Sequence, residues 1–90
     1  MEWEIEANRI MFQLKATYPD WTADDFYKLA TEVSMPPNII KQLSGALFKA
    51  FKAAGYIQKT KEFRLSTRNG STPLPVWKAV LQSEKQTLLN

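Results

Sequence analysis

Ninety residues, 44% of them hydrophobic and 12% aromatic, suffice for one domain with one core and no metal or disulfide staple. Cysteine and histidine are both absent, which excludes thiol nucleophiles, imidazole bases, disulfides and ordinary zinc sites, so no metal or other cofactor is expected. The net charge of +3 hides an asymmetry: Glu2, Glu4, Glu6, Asp20, Asp24, Asp25 and Glu32 outnumber Arg9, Lys15 and Lys28 in residues 1–35, whereas Lys41, Lys49, Lys52, Lys59, Lys61, Arg64, Arg68, Lys78 and Lys85 face only Glu62 and Glu84 in the rest, a pattern suggesting one face made for a polyanion.

No apolar run approaches the roughly 18 residues of a membrane span, and the acidic start MEWEIEANRI is unlike a secretory signal, which is basic and then apolar. A cytoplasmic protein is expected, and the lack of cysteine fits a reducing compartment.

A first helix is predicted over residues 2–18, where Trp3, Ala7, Ile10 and Leu14 recur at helical spacing and Met11 widens the stripe. Its glutamates suit the positive end of the helix dipole, and Pro19 and Asp20 end it. Thr22 followed by Asp25 is a relative of the capping box and opens a second helix, residues 23–33, with Phe26, Leu29, Ala30 and Val33 on its apolar face. Trp21, just ahead of the cap, is placed to pack on Phe26. Ser34, Met35, Pro36 and Pro37 form a short rigid link.

The third helix, residues 37–54, divides sharply on a wheel of about 100° per residue. Ile39, Leu43, Ala46, Leu47, Ala50, Phe51 and Ala54 gather on one side, with Phe48 at the edge; Asn38, Lys41, Gln42, Gly45, Lys49 and Lys52 lie opposite. Gly55 stands where a left-handed C-terminal cap belongs. Residues 56–60, 63–66 and 75–80 are β-prone, and the second and third runs can return around Asn69-Gly70 as a hairpin with a long loop. The domain thus spans residues 1–80, with residues 81–90 a tail or short helix. There is no internal repeat and no second domain. Trp3, Phe12, Trp21, Phe26, Phe48, Phe51, Phe63 and Trp77 are expected in the core or at an interface. Capping and dipole matching account for Asp24, Asp25 and the early glutamates, and with no second layer to form a pocket, enzymatic activity is not expected.

This order of helix, helix, link, basic helix, glycine and hairpin resembles the winged helix-turn-helix superfamily. The segment GALFKAFKAAGYIQKT, residues 45–60, resembles the end of its third helix and first wing strand, and Val76-Trp77-Lys78 its returning strand. With Ser66-Thr67-Arg68, residues 20–80 are similar to small winged-helix proteins of bacteriophages and mobile elements. The resemblance implies a mostly α, α+β fold: three helices plus a wing sheet of two to three strands, the strand before helix two reduced to a bridge through Trp21. Residues 72–78, TPLPVWK, also look like the Pro-Pro-x-Trp wing of Z-form nucleic-acid-binding domains. The asparagine and tyrosine of that family's third helix would fall here at Gly45 and Lys49, so Z-form recognition is not expected.

The superfamily implies double-stranded DNA as partner, with residues 37–54 in the major groove and a basic wing over residues 61–75. Asn38 and Gln42 are suited to bidentate contacts with adenine and share the start of the helix with Lys41, whereas Lys49 and Lys52 lie nearer the DNA backbone. Gly45 in mid-helix costs roughly 1 kcal/mol relative to alanine, so it marks a close approach by a nucleic-acid backbone or a partner chain. Lys61, Arg64, Ser66, Thr67 and Arg68 offer donors to phosphates or the minor groove, fastened by Trp77. About five such contacts predict a loss of a few hundred-fold in affinity between about 50 and 200 mM salt. A lone module binds weakly, so a homodimer through helix one or the tail is expected. The role expected is that of a regulatory or accessory DNA-binding protein, in transcription, replication or packaging. The alternative is a winged-helix adaptor whose third helix meets an acidic protein surface in a replication or transcription assembly. Single-stranded nucleic acid is less favoured, because the aromatics are expected in the core.

Overall fold

The computed structural model describes residues 3–68, 70 and 72–80. Three helices, α1 (Trp3–Thr17), α2 (Ala23–Glu32) and α3 (Pro37–Ala53), precede an antiparallel hairpin of β1 (Ile57–Leu65) and β2 (Pro73–Ala79), an α+β arrangement. The expected tail, residues 81–90, lies outside the described residues. None of the described helices is long and apolar enough to cross a membrane.

Local chemistry sets the helix boundaries. α1 buries Ala7, Ile10, Met11 and Leu14, the stripe read from the sequence. At the start of α2, the Thr22 hydroxyl accepts the Asp24 N–H at 3.2 Å and the Asp25 carboxylate accepts the Thr22 N–H at 2.8 Å, a completed capping box. α2 and α3 end alike. The Met35 N–H reaches back to the Ala30 carbonyl and the Ser34 N–H to Thr31, at 3.1 and 2.9 Å; Tyr56 and Gly55 repeat the pattern on Phe51 and Lys52, at 2.9 and 3.0 Å. Such a Schellman cap needs a left-handed residue: Gly55 provides it at φ 83°, but after α2 the residue is Ser34, at φ 63°.

The core lies where the helices meet the hairpin. Trp21, Phe26, Ile10, Met11, Leu14, Ile40, Ile57 and Val76 are essentially closed to solvent. Phe48 lies between Phe26 and Trp77, edge-to-face with both at centroid distances of 5.9 and 5.4 Å. This alters the face expected for α3. Ile40, Phe48 and Phe51 are buried and Leu43 and Leu47 half-buried, while Ala46, Ala50 and Ala54 are exposed. The helix turns Ile40 and its two phenylalanines inward, with Ile39 half-buried, because an alanine buries far less apolar area. Phe12 and Phe63, expected in the core or at an interface, are exposed.

β1 runs through the gap expected between the first two β-prone stretches. Lys59 opposes Trp77 and Phe63 opposes Pro75, so residues 60–62 bulge out of the ladder. On the other edge of β2, the Trp21 N–H donates to the Trp77 carbonyl at 2.9 Å and the Trp77 N–H returns to Trp21 at 2.7 Å, the bridge anticipated from the sequence. The Trp21 indole N–H is buried without a hydrogen-bond partner.

Candidate nucleic-acid interface

On α3, Asn38, Lys41, Gln42, Gly45, Lys49 and Lys52 are all exposed and share one arc, whose edge at Lys41 and Lys52 adjoins the buried Phe48. Among the described residues the ion pairs are Arg9 with Glu6, Arg64 with Asp20, and Arg68 with Asp24; Lys41, Lys49 and Lys52 have none. Three unneutralised ammonium groups thus stand along one helix, beside two amide side chains suited to base edges.

The wing residues are placed differently from the expectation. Arg64 opposes Leu74 in the ladder, out of phase with Trp77, so it projects from the sheet face opposite that indole. Its guanidinium donates to the Asp20 carboxylate at 2.7 Å, which neutralises it locally. Ser66 is buried and its hydroxyl donates to Asp24 at 3.1 Å, so it is not an outward donor. The Thr67 N–H and hydroxyl donate to the other Asp24 oxygen at 2.7 and 3.2 Å. The Arg68 Nε bonds Asp24 at 3.0 Å, and the guanidinium lies 4.0 Å from the Tyr27 ring centroid. Lys61 sits exposed in the bulge.

Asp24 therefore straps the base of the wing loop to α2. Burial pushes its carboxyl pKa up, but the bonds from Thr67 and Ser66 and the charge of Arg68 outweigh that and hold it below the ordinary aspartate value. Sequence reasoning assigned Asp24 to capping and dipole matching; the partners that fix its role lie more than 40 residues away. No local signal identifies such a pairing.

Two concavities flank the exposed arc of α3. A cleft of about 330 Å³ is lined by Lys41 and Ser44 from α3, Tyr27 from α2 and Arg68 from the wing loop, so cations from two distant segments do meet there. A more apolar groove of about 350 Å³ lies between Gly45, Phe48, Lys49 and Lys52 on one side and Pro75 and Trp77 on the other. Lys59 stands at its hairpin side, its Nζ 5.7 Å from the Trp77 ring centroid. Ala23 lines both concavities, so they adjoin. Sequence reasoning did not single out Tyr27, Ser44 or Lys59 as part of this surface; that Lys59 shares the face of Trp77 is read from the register.

Comparisons with protein-family models, curated proteins and solved structures return no match.

Proposed function

We propose that the chain is a winged-helix domain that binds double-stranded DNA through α3. The observation carrying this reading is the exposed, unpaired set Lys41, Lys49 and Lys52 on the face that also bears Asn38 and Gln42. The element order and the Trp21 bridge, standing in for the strand before helix two, support the winged-helix assignment. The first turns of α3 enter the major groove, where Asn38 and Gln42 meet base edges and Lys41 the adjoining phosphates. Lys49 and Lys52 hold the backbone further along, and Gly45 lets it approach closely.

The wing takes a smaller part than its composition suggests. With Arg64 on Asp20 and Ser66 and Thr67 on Asp24, the hairpin is strapped to α2 and the link before it, and of the described wing residues only Arg68 joins Lys41 at the DNA-facing cleft. A dimer through α1 belongs to the same reading: Ile5 and Phe12, two helical turns apart, are both exposed there.

Mobility shifts on random-sequence duplex, together with heparin retention, test this. Lys41→Glu and the double change Lys49→Glu/Lys52→Glu should each abolish the shift, while Arg64→Gln leaves it intact. Equal binding by all three variants would overturn the proposal. A second reading, the protein-interaction adaptor, is favoured by one feature only, the apolar groove beside Lys49 and Lys52.

A further inference from the structure

We propose that the groove between the C-terminal half of α3 and the hairpin is a docking site for an acidic peptide segment that inserts one bulky apolar side chain. This goes beyond DNA binding and does not depend on Asn38, Lys41 or Gln42.

The groove has an apolar floor and a basic rim. Phe48, Pro75 and Trp77 line its interior, and Lys49 and Lys52 stand on the α3 side. It is open at Gly45, where an added Cβ would meet nothing within 4 Å. A longer side chain at that position would occupy the space that the glycine leaves. Lys59, over the Trp77 ring, brings a cation to the hairpin side.

The apolar surface does not stop at the groove. Lys59, Phe63 and Leu65 oppose Trp77, Pro75 and Pro73, and residues directly opposite in a ladder share a face. Phe63 and Leu65 therefore lie on the Trp77 face, and they are 63% and 65% exposed. A patch that is apolar in the middle and cationic at its edge is the surface of an interaction site.

The lining decides between occupants. A nucleobase placed here would have its edge donors and acceptors stripped of water with almost nothing polar to replace it, at a cost that an aliphatic or aromatic side chain does not incur. A wholly apolar segment would leave Lys49, Lys52 and Lys59 without counter-charge. A leucine, phenylalanine or tryptophan flanked by aspartates and glutamates satisfies both parts: the anchor fills the groove and the flanking carboxylates meet the lysines. Because Lys49 and Lys52 also serve the DNA reading, such a segment and duplex DNA would exclude one another.

The probe is a short fluorescein-labelled peptide with a central tryptophan flanked by aspartate and glutamate, titrated with the whole chain at low salt and read by anisotropy. Binding in the micromolar range is expected. Gly45→Leu, whose fold is checked by its thermal melt, should weaken it by about tenfold or more, as should replacing the peptide's tryptophan with serine. Lys49→Glu/Lys52→Glu should do the same, while Lys41→Glu changes it by less than about twofold. If Lys41→Glu abolishes duplex binding and leaves the peptide bound, the two sites are separated. No binding of the peptide would overturn the proposal. So would indifference to the tryptophan, or to Gly45→Leu, since either reduces the contact to charge attraction. Gly45→Leu that releases a single-stranded oligonucleotide but not the peptide would place an unstacked base in the groove instead.

Discussion

Trp21 and Trp77 exchange both backbone hydrogen bonds, at 2.9 and 2.7 Å, and so tie the link between α1 and α2 to the returning strand of the hairpin. The indole of Trp77 then packs on Phe48 of α3, so one residue fixes the hairpin to both the link and the basic helix. Trp77→Ala should cost about 3–5 kcal/mol, a large part of the roughly 5–13 kcal/mol typical of a domain this size. Trp21→Phe should cost no more than about 1 kcal/mol, because the lost volume is offset by removing a buried donor with no partner. Urea denaturation of the two variants checks both values.

Asp24 contributes to stability through the wing strap. Because its carboxyl is held below its ordinary value in the folded chain, the contribution is present above the unfolded value of about 4 and fades as pH falls through the lower folded value. Asp24→Asn should cost about 1–2 kcal/mol at neutral pH, and the gap to the parent protein should narrow in acid. The same change removes an acidic neighbour from Arg68, so duplex affinity should rise by about threefold at low salt. Denaturation curves at pH 7 and pH 3, with anisotropy at pH 7, measure both.

Two backbone positions should accept stabilising changes. Ser34 holds the left-handed cap of α2 at φ 63°, and Ser34→Gly should add about 1 kcal/mol by relieving that strain. Gly45 is helical with open space around its missing Cβ, so Gly45→Ala should add about 1 kcal/mol. Thermal melts should rise for both. A fall for Gly45→Ala would indicate that this backbone is closely packed, contrary to the open space around it.

What the sequence made legible is what short-range chemistry controls. Pro19, the Thr22 and Asp25 box, Pro37 and Gly55 mark helix ends because caps and breakers act within a turn. The exposed set on α3 follows from its wheel for the same reason. The roll of that helix toward Ile40 and Phe48 did not follow, since a wheel weights alanines and large side chains alike until a neighbouring surface selects between them. Nor did the fate of the wing cations. Arg64, Ser66 and Arg68 looked like outward donors, but Asp20 and Asp24 approach them only once the chain has folded back over more than 40 residues.

The central claim, that α3 presents a working polyanion face, is tested most directly by the salt dependence of duplex binding. With Lys41, Lys49 and Lys52 contributing about three phosphate contacts, affinity should fall by about fortyfold between about 50 and 200 mM salt, and Lys49→Gln should flatten that slope. No binding at the lower salt concentration, or an affinity indifferent to salt, would contradict it.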